Sequence, residues 1–127
     1  MSTIPQAPES DQEPSPPTHD LPKECMLLRI FLGEGEEYQR RPLYKTIVTR
    51  ARELGLAGAT VLRGRMGFGP SRRLHNASIL LLSFDLPMIL EIVDTPEKIE
   101  AFLPELRKIM RTGLITAERA HIIRYQG

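Results

Sequence analysis

Four arginines, Arg63, Arg65, Arg72 and Arg73, stand within eleven residues that contain no acid. Guanidinium groups are planar forks that match the oxygens of phosphate, so this cluster suits an anion or a nucleotide. Gly64, Gly67 and Gly69 are interleaved with the arginines, and Phe68 lies between the last two glycines. Without a Cβ, backbone N–H groups in such a loop can come close to an anion. His75 flanks the segment and supplies a ring that can bond a phosphate or base and change charge near neutral pH. The same residues also fit a solvated loop with its charges in water, and spacing alone does not separate the two. No Gly-Lys-Ser/Thr follows Gly69, so the glycines do not form a P-loop. They also lack the order, and the helix directly after, of a dinucleotide-binding fingerprint.

Other reactive groups point to less. Cys25 is the single cysteine, which excludes an internal disulfide and a cysteine-rich zinc site. At the start of an apolar run it reads as a small buried thiol. No spacing pairs it with His75 or His121 as nucleophile and base, and no catalytic residue is assigned. Glu34, Glu36 and Glu37 offer oxygen ligands to a metal, but equally describe an exposed acidic loop. RNA-recognition modules stack bases on strand aromatics; here aromatics make up 6 % of the chain and the inner strands offer Phe31, which argues against nucleic acid.

The net charge of +1 hides an asymmetry. Residues 1–22 carry Glu9, Asp11, Glu13 and Asp20 with no Lys or Arg, so all seventeen basic groups lie in the remainder. Six of the eleven prolines also fall in this stretch, which reads as a disordered, Pro-rich acidic leader. A folded domain is expected over residues 23–127. No positive segment followed by an apolar one opens the chain, so no secretory signal is expected. The longest apolar region, Ile79–Val93, is interrupted by Asp85, Pro87 and Glu91 and is too short for direct membrane insertion. A cytoplasmic protein follows from these features.

Several elements must position the arginine loop. Met26–Leu32 is a short apolar run ended by Gly33, a strand. Gly33–Arg41 is polar and rich in glutamate, a loop. Pro42 opens a helix with Leu43, Ile47, Ala51 and Leu54 at helical spacing and Gly55 as its stop. Thr60–Arg65 reads as a second strand centred on Val61 and Leu62, and Gly64–Pro70 is too rich in glycine for regular structure. Ser78–Ser83 and Leu86–Val93 are strand segments separated by a bend. Asp94-Thr95-Pro96-Glu97 starts a helix with an apolar stripe of Ile99, Phe102, Leu103, Leu106 and Ile109 or Met110. Pro104 predicts a kink or two short helices. His121–Tyr125 is the expected last strand.

The order is βαββαβ, an α+β ferredoxin-like sandwich with a long Gly/Arg-rich connection between its second and third strands. Two helices cover one face of such a sheet. Yet Met26–Leu32 and Met88–Val93 are apolar on both faces, apart from Arg29 and Glu91. A second cover is therefore expected, supplied by sheets of other copies, with Arg29 and Glu91 paired where they meet.

The body, residues 26–125, resembles the domain-of-unknown-function family 190, a branch of the PII-like signalling proteins. The likeness is carried by Leu28–Glu34, Pro42-Leu43-Tyr44, the run from Gly55 to Gly64, Met66–Gly69, Leu86-Pro87 and Glu91–Asp94. Gly67-Phe68-Gly69 is similar to the segment that opens the PII T-loop, the arm that touches partner proteins. Arg111-Thr112-Gly113 is similar to the start of the PII B-loop, which wraps nucleotide phosphates between subunits. PII proteins continue there as Gly-Asp-Gly-Lys; this chain has Thr116-Ala117-Glu118-Arg119, with Arg119 in the place of the lysine. The resemblance implies a regulatory homotrimer that holds an anionic effector, an adenine nucleotide foremost, at clefts between subunits. Residues implied in binding are Arg63, Gly64, Gly67, Phe68, Gly69, Arg72, Arg73, His75, Thr112, Gly113 and Arg119. A mobile loop would signal to a partner protein such as a membrane transporter. The alternatives are an enzyme acting on a phosphorylated metabolite through His75 and the arginines, and a metal-binding or structural trimer of the CutA kind.

Overall fold

From Leu28 to Leu32 every second side chain of β1 (Glu24–Gly33) is buried, and the same alternation runs through β7 (Pro87–Asp94) from Met88 to Asp94. The computed structural model of the chain describes residues 21–69, 75–76 and 85–126. The acidic leader up to residue 20, Arg72, Arg73 and the expected strand Ser78–Ser83 lie outside the described residues. β1 pairs antiparallel with β7 on one side and with β8 (Leu114–His121) on the other, while β4 (Thr60–Arg63) adds to the far side of β7. The resulting order, β4-β7-β1-β8, is the ferredoxin-like one expected from the element sequence.

Both helices lie on one face of this sheet. α1 (Leu43–Glu53) buries Leu43, Ile47 and Ala51, and α2 (Pro96–Ile109) buries Ile99, Phe102, Leu106 and Ile109. These side chains join Leu28, Ile30, Leu32, Met88, Leu90 and Ile92 in one core. Leu54 departs from the expected stripe: it ends α1 as the capping residue and is 50 % exposed. Gly55 then turns the chain at φ +76°, and Leu56 packs against the core instead.

α2 runs unbroken through Pro104, rather than as two short helices. Pro104 is exposed, so the carbonyl it leaves without an intrahelical donor, that of exposed Glu100, faces water. The expected loop after β1 contains a small hairpin, β2 (Glu37–Tyr38) and β3 (Arg41–Pro42). Gln39 and Arg40 both have positive φ, 51° and 67°, as a two-residue turn matching strand twist requires. The last strand is Leu114–His121 rather than His121–Tyr125.

Asp94, 1 % exposed, fastens the helices' connections. Its Oδ2 accepts from Ala57 N at 2.8 Å and its Oδ1 from Thr95 N at 2.7 Å. Thr95 in turn caps α2 by accepting from Lys98 N at 3.1 Å, and Lys98 Nζ donates to Gly55 O at 3.1 Å. Asp94→Ala leaves two sheltered N–H groups without a partner and is expected to cost about 2–4 kcal/mol, read from urea unfolding.

The helices are also linked by charge. Glu105 on α2 accepts from Lys108 at 2.9 Å and from Arg50 of α1 at 3.2 Å. Lys108, then Arg50, hold its carboxyl below its ordinary pKa. A carboxylate with a depressed folded pKa stabilises the fold above its unfolded pKa, and that contribution fades as pH falls through the folded value. Glu105→Gln should therefore lower the melting temperature at pH 7, and the difference from the native chain should vanish in acid.

Candidate functional site

One end of the sheet gathers the C-terminus of β1, the N-terminus of β7, the C-terminus of β4 and the N-terminus of β8. The pairs Gly33↔Pro87, Arg63↔Met88 and Phe31↔Leu114 fix this arrangement. Antiparallel pairing thus delivers both segments singled out by sequence, the arginine loop and Thr112-Gly113, to the same end.

β4 ends at Arg63, and Gly64 N donates to Pro87 O at 2.7 Å. A Cβ on Gly64 would lie 2.8 Å from Pro87 Cγ and 3.2 Å from Pro87 O, so this glycine has a packing reason. The chain then enters β5 (Met66–Gly67), which pairs with β6 (His75–Asn76) through Met66↔Asn76 and Gly67↔His75. The expectation that Gly64–Pro70 lacks regular structure is corrected there: a two-residue ladder asks only for backbone groups, which glycine supplies. Phe68 is 59 % exposed, and Arg65 and Gly69 are exposed too.

Across the end, Thr112 and Gly113 form the turn from α2 into β8. Gly113 takes φ +116°, outside the range of other L residues. Arg119 is not near this turn. It pairs with Met26 within β8, five residues beyond Leu114 and so about 17 Å further along the strand. Thr116–Arg119 is strand rather than a phosphate-wrapping loop, and Arg119 lies toward the opposite end of the sheet.

Sequence reasoning missed what joins the two segments: the acidic turn after β1. Glu34 Oε1 accepts from Arg63 at both Nη2, 2.9 Å, and Nε, 3.2 Å. Glu36 Oε1 accepts from Thr112 Oγ1 at 3.1 Å, while its Oε2 accepts from Gly33 N at 2.6 Å. Asp85 Oδ1 accepts from Gly35 N at 2.8 Å and holds the turn from the far side. The separations of 29 and 76 residues leave no local signal for the contacts with Arg63 and Thr112. Among the described residues, no three His, Cys, Asp or Glu side chains converge to hold a metal. A groove of about 200 Å³ between α2 and β8, lined by Leu28, Leu103, Arg107, Ile115, Thr116 and Ala117, includes none of the arginine-loop residues.

The face without helices carries Leu27, Phe31, Ile89 and Val93, all half-buried, and the more exposed Leu62 and Leu114. Arg29 lies among them and joins Glu91 at 2.9 Å and Glu118 at 2.6 Å within the same chain. The Glu91 hydrogen bond, then Glu118, raises the Arg29 pKa. Cys25 is buried, with Sγ donating to Pro22 O at 3.3 Å; burial, then Asp94, Glu24 and Glu97, pushes its thiol pKa up, away from nucleophilic use. Among the described residues, no helix is long and apolar enough to cross a membrane.

This fold is shared with PII-like proteins. The chain is similar to CPII, a nitrogen regulatory PII-like protein from Thiomonas intermedia K12 solved with ADP, AMP and bicarbonate, at TM-score 0.56 and 14 % identity over 80 % of this chain and 90 % of that one. A Thermus thermophilus protein described as PII-like and signalling aligns at TM-score 0.54 and 19 % identity, over 78 % of this chain and 87 % of that one. In sequence, a UPF0166 protein of Aquifex aeolicus is 42 % identical over 97 residues, 76 % of this chain and 91 % of that protein. A UPF0166 protein of Methanocaldococcus jannaschii is 36 % identical over 102 residues, 80 % of this chain and 92 % of its own. The profile of DUF190, described as "Uncharacterized ACR", matches residues 25–122, and the chain belongs to that family.

Proposed function

We propose that this protein is a PII-like regulator, a homotrimer that binds an adenine nucleotide at clefts between subunits and signals through the Gly/Arg-rich connection to a partner protein. The observation that carries this reading is that Arg63, Gly64 and Gly67 beside one edge strand and Thr112 and Gly113 beside the other lie at the same end of the sheet. Cationic forks and loop N–H groups there suit a phosphate chain. β4 and β8 are opposite edges of the sheet, so a cleft between copies would bring the arginine segment of one against the Thr112 turn of the next. The adenine nucleotides bound to CPII, a protein of the same fold, support the choice of ligand class. The apolar face without helices supports the assembly.

The test is calorimetry of the full chain with ADP, AMP and ATP, beside Arg63→Ala and Arg72→Ala/Arg73→Ala variants. Each loss of a charged fork should weaken binding at least tenfold. Failure of all three nucleotides to bind the native chain would refute the reading. Turnover of a bound phosphorylated compound, lost in His75→Ala, would replace it with the enzyme.

A further inference from the structure

The two ends of the candidate cleft are already occupied by the protein's own carboxylates. Glu34 holds Arg63 by two hydrogen bonds to one oxygen, and Glu36 holds the Thr112 hydroxyl. Both acids sit on one short turn whose backbone is anchored, Glu34 N to Leu86 O at 2.8 Å and Leu43 N to Glu36 O at 2.8 Å. An anion arriving at Arg63 therefore does not meet a free cation; it exchanges with Glu34.

We infer that Glu34 is an internal competitor at this anion site, setting an affinity threshold that polyphosphates with contacts beyond Arg63 pass and singly or doubly charged small anions do not. This rests on the anion-binding reading above. An anion with a single contact merely trades one carboxylate pair for another and gains little, because both pairs are hydrogen-bonded and partly solvated. A nucleoside diphosphate keeps further oxygens for Thr112-Gly113 and for loop N–H groups after it has displaced Glu34, so it alone comes out ahead. The Glu34 side chain is 20 % exposed against 56 % for Arg63, so the acid is the fixed partner and the guanidinium the one that can swing toward a ligand.

The test compares native chain and Glu34→Gln by calorimetry at low ionic strength, with ADP and inorganic phosphate as probes. Gln keeps the size of Glu34 and one oxygen acceptor, so the turn should hold; a melting temperature near the native one checks this. ADP should bind Glu34→Gln about three- to fivefold more tightly, the value of an exposed pair released from competition. Phosphate affinity should rise by a similar factor, because both probes must displace the same carboxylate from Arg63. In an Arg63→Ala background the Glu34→Gln gain should disappear. Native binding of ADP with no gain in Glu34→Gln overturns the inference and leaves the proposed function standing. A gain that persists without Arg63 overturns it too, since the effect would then be general charge. If neither protein binds ADP, this inference falls, and the proposed function falls with it where AMP and ATP fail as well.

Discussion

An Ile89→Lys chain is expected to run in solution at the mass of one chain, and the native protein at three times that mass. Ile89 is paired with Phe31 on one side and Leu62 on the other, in the middle of the sheet face that carries no helix. Leu27, Val93 and Leu114 extend the patch. Burying apolar surface gains about 25 cal/mol per Å², so six such side chains per copy supply on the order of several kcal/mol when sheets meet. The charges within the patch do not prevent this, because Arg29 is already held by Glu91 and Glu118 and the elevated Arg29 pKa keeps the group charged and paired. A lysine at position 89 has no such partner, and drying its ammonium costs several kcal/mol per copy, enough to cancel the gain. In the free subunit that lysine stays in water, so the fold survives. Light scattering gives the masses, circular dichroism checks the fold, and Ile89→Leu should stay assembled. A native chain that is itself monomeric at micromolar concentration would sink the packing argument.

The elements that came through in the sequence are those with a strong apolar signal. β1 and β7 are near-continuous apolar runs, α1 and α2 show apolar stripes, and the order of the six main elements fixes the ferredoxin-like topology. β8 was missed because its burial gives no rhythm: of Thr116-Ala117-Glu118-Arg119 every residue is exposed, and the strand exists through its ladder with β1 alone. Polar exposed residues read as loop, and likeness to a phosphate-wrapping loop reinforced that reading. The same cause hid where Arg119 sits in the chain, since a strand carries it away from the turn at Thr112. For the site, residue types picked out Arg63, Gly64 and Gly67, the resemblance to PII proteins added Thr112 and Gly113, and register brings them to one end of the sheet. Glu34 and Glu36 were visible only as an acidic loop. Their roles depend on contacts between residues 29 and 76 apart, which no local pattern encodes.

Gly113→Ala should be among the most damaging single-methyl changes in the chain, costing about 3 kcal/mol or more. Two effects add. A residue with a Cβ held at φ +116° is strained by roughly 1–3 kcal/mol whatever surrounds it. The added Cβ would also lie 2.8 Å from Phe31 O and 2.8 Å from Met110 Cε. Met110 is a flexible side chain and can withdraw, but Phe31 O is backbone in the central strand and cannot move without disturbing the β1–β8 ladder. Gly55→Ala separates the two effects: its φ is +76°, yet nothing lies within 4 Å of its Cβ, so only the conformational cost of about 1–2 kcal/mol applies. Urea unfolding should therefore rank native above Gly55→Ala above Gly113→Ala. Adding Met110→Ala to Gly113→Ala should not restore the native value, because the backbone contact remains. Equal losses at the two glycines would show that close packing against β1 contributes nothing at Gly113. Because the same turn sets Thr112 against Glu36, the loss of stability should come with weaker ADP binding in Gly113→Ala and unchanged binding in Gly55→Ala.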